Sequence, residues 1–132
     1  MNNIKPQLAE YSIIAHEGDY TGERAYEEAY NLNTPMLALQ GDFKAEDSLV
    51  SIKGENVVLS AFKKAEEGDS IIVRIFNISD KEENFQIKVN RDVKEINEVN
   101  LNEELIEKLE VKENAINGII SKKQIKTFEI VL

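Results

Sequence analysis

Two stretches of this chain are apolar on both sides of an extended backbone, and one short turn separates them. In 57–62, Val57, Leu59 and Ala61 fall on one face, with Val58 and Phe62 on the other. In 71–77, Ile71, Val73 and Ile75 share one face, and Ile72 and Phe76 share the opposite one. Between them lies the turn cluster Glu66-Glu67-Gly68-Asp69. Side chains alternate across a strand every two residues, so a run that is apolar at both parities predicts a central strand covered on two sides. Such a pair requires a layered β structure around it, which narrows the fold more than any other feature of the chain.

Further candidate strands surround this pair. Met36-Leu37-Ala38-Leu39 and Val50-Ser51-Ile52 precede it; Phe85–Val89, which alternates cleanly, and a weaker strand at Val93–Val99 follow. Ala115–Ile120 is another, and its Asn117-Gly118 dipeptide predicts a tight hairpin or a bulge. The last runs over Gln124–Val131, with Phe128, Ile130 and Leu132 inward and Lys126 outward or near an edge. Leu101, Leu105, Ile106 and Leu109 sit at helical spacing, yet Leu105, Leu109 and Val111 also fit a strand, so the pattern leaves that segment open.

Toward the N-terminus, Tyr11–His16 reads as a strand that stops at Glu17-Gly18-Asp19, where Gly18 admits a positive φ. A short helix follows over 21–30. Thr21 is its predicted N-cap, Glu23 suits the positive end of the dipole, and Ala25, Tyr26, Ala29 and Tyr30 form an apolar stripe predicted to be packed. Asn33-Thr34-Pro35 ends it. Many short strands separated by turns indicate a mostly β chain, an antiparallel β-sandwich with one short N-terminal helix. The expected organisation is a single domain over 1–132, in which 11–35 form a strand–turn–helix segment and 36–132 the antiparallel strands.

Composition excludes several function classes. With 25 acidic and 16 basic residues the formal charge is −9, unsuited to nucleic acid or to an anionic membrane surface. The absence of cysteine removes disulfides, thiolate metal sites and cysteine nucleophiles. The first residues lack the apolar core of a signal peptide, and the run Ile71-Ile72-Val73 is broken by Arg74, so a cytoplasmic location is expected. His16 is the single histidine, which precludes a multi-histidine metal site. A serine triad would have to recruit it, and no Gly-x-Ser-x-Gly elbow is present. The six glycines are scattered among turns and form no phosphate-cradling loop.

The segment His16-Glu17-Gly18-Asp19-Tyr20 gathers an imidazole, two carboxylates and a phenol between a predicted strand and a helix. Turn chemistry accounts for much of it, with Asp19 or Thr21 capping the helix and His16 bonding locally. The other reading is a loop presented to a partner domain's ligand pocket. Tryptophan is absent, which weakens the case for an independent sugar-binding module with an aromatic platform.

Three stretches, in order and at compatible spacing, resemble the C-terminal β-domain of α-mannosidases of glycoside hydrolase family 38, particularly its bacterial branch. Tyr11 to His16 with Gly18-Asp19, followed by Ala29-Tyr30-Asn31-Leu32-Asn33-Thr34-Pro35, is similar to the family's Tyr-x-x-x-x-His-x-Gly-Asp and Ala-Tyr-x-x-Asn-x-Pro segments. Glu55-Asn56-Val57-Val58-Leu59-Ser60-Ala61-Phe62-Lys63-Lys64-Ala65 is the most specific match, and Ile72–Asn77 continues it. Ile125-Lys126-Thr127-Phe128 resembles the family's closing strand. Tyr20 stands where the family often has tryptophan, and Gln124 departs from the usual approach to the last strand.

The resemblance implies an extended segment at Leu105–Val111. It also implies an accessory β-domain that is not catalytic by itself. The aspartate nucleophile, the acid/base carboxylate and a zinc bound by His and Asp residues belong to an N-terminal barrel outside these residues. The partners implied are that catalytic domain and the other β domains of the parent enzyme, with mannoside substrate met indirectly. A loop of the family's β region reaches the sugar pocket, and its expected counterpart is His16 to Arg24. His16, Asp19 and Arg24 are therefore the candidate substrate-pocket residues. A free-standing carbohydrate-binding or protein-interaction module is the alternative. Self-association through an exposed apolar face, such as the stripe of Ala25, Tyr26 and Ala29, is also expected.

Overall fold

A computed structural model of the chain describes residues 8–20, 25–34, 36–38, 40–42 and 48–132. Backbone contacts divide the chain into two compact units, Met1–Asp42 and Phe43–Leu132.

In the first unit, helix α1 (Ala25–Asn33) occupies most of the predicted helix. Its C-terminus is closed by Thr34, whose N–H and hydroxyl both donate to the Tyr30 carbonyl, and by Asn33 Nδ2, which donates to the Ala29 carbonyl. These bonds satisfy carbonyls that the last helical turn leaves open. The predicted cap Thr21 and Glu23 lie outside the described residues. No residue of α1 is buried. Tyr26 and Tyr30, expected to be packed, stack on each other with ring centroids 6.2 Å apart, and Tyr30 stays exposed. The strands expected at Tyr11–His16 and Met36–Leu39 are not seen: 11–16 and 36–38 have no regular secondary structure, and Leu39 lies outside the described residues. Tyr11, Ile13, Met36 and Leu37 are exposed. High β-propensity does not make a strand without a neighbour to complete its ladder.

The second unit is a sandwich of two antiparallel sheets. Its strands are β1 (Val50–Lys53), β2 (Val57–Lys64), β3 (Ile71–Asn77), β4 (Glu83–Val89), β5 (Glu95–Val99), β6 (Leu105–Leu109), β7 (Ala115–Ile120) and β8 (Ile125–Val131). One sheet has the order β1-β4-β7, the other β2-β3-β8-β5-β6. Phe85, Ile87, Val89, Ile116 and Ile120 from the smaller sheet meet Val73, Ile75, Ile96, Phe128 and Ile130 from the larger one. Phe85 and Phe128 bridge the layers with centroids 5.7 Å apart.

The doubly apolar pair resolves into unequal partners. β3 is interior, between β2 and β8, as predicted, but β2 forms an edge of the larger sheet. There Phe62, inward by register, is still 47% exposed. Both edges of the larger sheet carry irregularities, at Leu59/Ala61 in β2 and opposite Glu98/Val99 in β6. Such bulges bend an edge away from further pairing. Ile72, on the outer side of β3, is sealed by a second small cluster with Ala65 and Val99.

One further expectation holds and two change. The segment 105–109 is extended rather than helical, as the resemblance implies. Asn117-Gly118 forms neither a hairpin nor a bulge: β7 pairs with β4 in unbroken register through both residues. Lys126 is neither outward nor at an edge. β8 lies between β3 and β5, and Lys126 stands opposite Ile75, where its ammonium bonds both carboxylate oxygens of Glu98 at 3.0 Å.

A buried polar staple joins the two sheets. Asn77, at the end of β3, is fully buried. Its Nδ2 donates to the carbonyls of Lys81 (2.7 Å), Ile120 (3.2 Å) and Ser121 (3.0 Å), and its Oδ1 accepts from Ser79 N–H at 2.8 Å. One side chain therefore satisfies backbone groups at the ends of strands in both layers.

Candidate functional site

Two of the three sequence-derived candidates lie among the described residues. His16 and Asp19 flank a bend in the first unit, in which Gly18 takes the expected positive φ of 78°. Both are exposed. Arg24, the third candidate, lies outside the described residues.

Besides the Asn77 staple and the inward Lys126–Glu98 pair, the second unit organises polar groups on the outer faces of its sheets. On the larger sheet, Ser70 Oγ donates to Glu129 Oε1 at 2.6 Å, and Asn97 Nδ2 donates to Glu129 Oε2 at 3.0 Å. Arg74 Nε donates to Thr127 Oγ1 at 3.0 Å. Where the 65–70 and 100–104 loops approach, Glu103 takes a 2.8 Å bond from Lys63 and a 2.7 Å bond from the Glu66 N–H. Glu103 sits in the left-handed region at φ 66°. Asn100 Oδ1 holds that loop by accepting from the N–H groups of Asn102 and Glu104.

Electrostatically this face is paired off. Lys63 and the Glu66 amide hold the Glu103 carboxyl below its ordinary pKa, and Lys108 with Asn97 does the same for Glu95. Lys63 moves upward in return, chiefly through Glu103 and then Glu66. Both carboxyls shift toward the permanently charged form, the opposite of what a general acid at neutral pH needs. Sequence reading missed this network. Its trace is the alternation of Ser70, Arg74, Asn97, Thr127 and Glu129 with apolar residues, but only the strand order brings them together.

The outer face of the smaller sheet differs in character. Register aligns Lys53 with Gln86 and Gln86 with Asn117, and the neighbouring row pairs Asn84 with Ile119. Gln86 Nε2 donates to Asn117 Oδ1 at 2.8 Å. These residues line a shallow groove of about 580 Å³ together with Gly54, Phe85 and Gly118. Position 118 has no side chain, and the Phe85 ring occupies the space on the core side of the sheet that one would claim.

Among the described residues no group of three His, Cys, Asp or Glu side chains is placed to hold a metal ion. The chain has a single histidine and no cysteine. No described helix is long and apolar enough to cross a membrane.

Comparison with known proteins gives one family and no curated relative. The model of the glycosyl hydrolases family 38 C-terminal beta sandwich domain matches residues 56–130. The match runs from just before β2 almost to the end of β8, so it covers nearly all of the larger sheet together with β4 and β7. No curated protein matches the chain. The matched family is described as a beta sandwich, the two-sheet architecture seen here, and the match extends over more than half of the 132 residues. The chain belongs to the glycosyl hydrolase family 38 C-terminal β-sandwich domain family.

Proposed function

We propose that this chain is the accessory β-sandwich of an α-mannosidase that acts on terminal α-mannosides, and that it does not break glycosidic bonds by itself. The family match over 56–130 carries the reading, because it sets the chain in a glycoside hydrolase context as a C-terminal domain. Two further observations support it. The carboxyls whose ionisation is shifted, Glu95 and Glu103, are committed to Lys108 and Lys63. Leu101, Leu105 and Ile106 are each more than half exposed at the β5–β6 end, the kind of apolar patch a domain shows when it packs against a larger body. Zinc and the two catalytic carboxylates belong, in this reading, to a catalytic domain outside the 132 residues. Carbohydrate contact from the first unit is part of the same proposal, through His16, Asp19 and Arg24.

The test uses an aryl α-mannoside. The 132-residue chain alone is expected to release no aryl alcohol above background, while a polypeptide that also carries the zinc-binding barrel does. Turnover at enzymatic rates by the chain alone would overturn the proposal. In the longer polypeptide, Arg24→Ala is expected to lower kcat/KM for the mannoside, and an unchanged kcat/KM removes Arg24 from the pocket.

A further inference from the structure

Two packed sheets leave open edges, and the four edge strands among the described residues, β1, β7, β2 and β6, are not guarded alike. Unpaired N–H and C=O groups along an edge invite another strand, and proteins blunt them with bulges, charges or brevity. β2 and β6 each lie at a register shift, and they carry Lys63, Lys64, Glu107 and Lys108. β1 has four residues and ends on Lys53. β7 has none of these guards. Its six residues, Ala115-Ile116-Asn117-Gly118-Ile119-Ile120, contain no charge and no proline, and their register with β4 is unbroken.

The pairing with β4 decides which backbone groups point out of that edge. Val89 N–H donates to the Asn114 carbonyl at 2.8 Å, so Asn114 and every second residue after it turn their N–H and C=O toward β4. Ala115, Asn117 and Ile119 turn theirs to the open side. Ala115 N–H is satisfied by the Lys112 carbonyl, and among the described residues no strand pairs with Asn117 or Ile119 on that side. These two lie symmetrically about Gly118. A second β7 running antiparallel, with Gly118 opposite Gly118, sets Asn117 against Ile119 of the other copy. The pair exchanges both N–H···O bonds, and the two-fold axis repeats the exchange. The central glycine pair is then of the non-hydrogen-bonded kind, whose Cα atoms come to roughly 4.5 Å, and glycine puts no side chain in the way. On the outer face the two Ile119 side chains, exposed in the single chain, come within reach of each other across the axis.

The charges at the two ends of β7 suit the same axis. Lys112 is engaged by Glu110 at 2.8 Å and Lys123 by Asp80 at 3.6 Å, which leaves Glu113 before the strand and Lys122 after it, both exposed. Antiparallel pairing brings Glu113 of each copy toward Lys122 of the other, whereas parallel pairing would set like charges together. An unrelated strand would have to match this spacing by its own sequence; a second copy matches it by symmetry. We propose that β7 is a homodimerisation edge, at which two copies of this chain join their smaller sheets into one continuous sheet, β1-β4-β7-β7-β4-β1, about an axis at Gly118. The assembly does not depend on the chain's place in an α-mannosidase, so the aryl-mannoside assay and the association experiment fail independently.

The experiment follows the full 132-residue chain over a dilution series from about 1 mM to about 10 μM by sedimentation velocity and by backbone-amide NMR. A monomer–dimer equilibrium is expected with a Kd on the order of 0.1 mM, since a joint of one strand pair is small. The backbone amide signals of Asn117 and Ile119 should shift along the same concentration curve, while those of the β2 edge stay in place. Ile119→Pro removes an outward N–H and no bond to β4, which an edge strand tolerates, and should raise the Kd about tenfold or more. Should that variant misfold, Ile119→Lys, at an exposed position, must weaken the dimer comparably by setting two ammonium groups across the axis. The proposal is overturned if the chain stays monomeric at about 1 mM, if a folded variant dimerises as well as the parent chain, or if the concentration-dependent shifts fall on another edge. Pairing of β7 only with a strand of a different protein overturns it as well.

Discussion

Gly118 and Phe85 are cross-strand partners, and a Cβ at position 118 would come within 3.1 Å of two ring carbons of Phe85. The ring fills the space that a side chain at 118 would claim. A glycine that reads as a turn signal in the sequence is thus a packing device in the middle of β7. Gly118→Val is expected to destabilise the fold by about 1–3 kcal/mol, the usual cost of overpacking a well-filled core. The combination Gly118→Val/Phe85→Leu should recover part of the loss. Urea unfolding of the three variants checks both, and additive losses would remove the coupling.

Asn77 makes the second prediction. Its amide is the only side chain shown bonding carbonyls of both Ile120 and Ser121 among the described residues. Asn77→Ala removes the side-chain partner of the buried Ser79 N–H and Ile120 carbonyl and of the part-buried Ser121 carbonyl, and should cost about 2–4 kcal/mol. Asn77→Asp should be worse at neutral pH, because a carboxylate replaces a donor that faces three carbonyls. Burial and those carbonyls raise the folded pKa of the introduced carboxyl above its unfolded value, so part of the loss should return as pH falls toward about 5. Thermal unfolding in neutral and in mildly acidic buffer reads out both effects.

The Lys126–Glu98 pair is the third. Each side chain is 19% exposed, so removing one partner strands a largely buried charge. Lys126→Met is expected to cost more than the double variant Lys126→Met/Glu98→Leu, since a paired apolar replacement removes the desolvation penalty as well as the attraction. A double-mutant cycle measured by denaturant unfolding gives the comparison. Equal losses would show that the pair adds nothing beyond packing.

Stability should fall at both ends of the pH scale through the surface network. Glu95 and Glu103 have folded pKa values below the ordinary 4.5. Their contribution is present above that value and is lost as pH drops through the lowered folded ones. Lys63 is raised above 10.5, so its contribution is present below that pH and is lost as pH rises through the raised value. Because Glu103 is the first cause of the Lys63 shift and Lys63 the first cause of the Glu103 shift, Glu103→Gln should flatten both limbs. Urea midpoints measured from about pH 3 to about pH 11 test this; unchanged limbs in the variant would assign the dependence elsewhere.

How much of this was legible beforehand depended on whether the signal was local. The alternation in 57–62, 71–77 and 85–89 specified strands, and the turns between them specified an antiparallel arrangement, because a two-residue period is written in the chain itself. The candidate sites were not legible in the same way. His16-Glu17-Gly18-Asp19 drew attention as a local cluster, whereas Lys53, Gln86 and Asn117 are separated by more than thirty residues at each step and read singly as ordinary surface positions.

By itself the sequence determined that the chain forms a two-faced β structure, carries a net negative charge and lacks the histidines and cysteines for a metal centre. Strand order was decided only in three dimensions. It made β2 an edge and β3 an interior strand despite their similar patterns, and it turned Lys126 inward onto Glu98. It also placed Gly118 against Phe85 and assembled the amide row. The reason is physical: a strand's alternation fixes which side chains share a face, but its neighbours, which close the ladder and cover that face, come from distant parts of the chain.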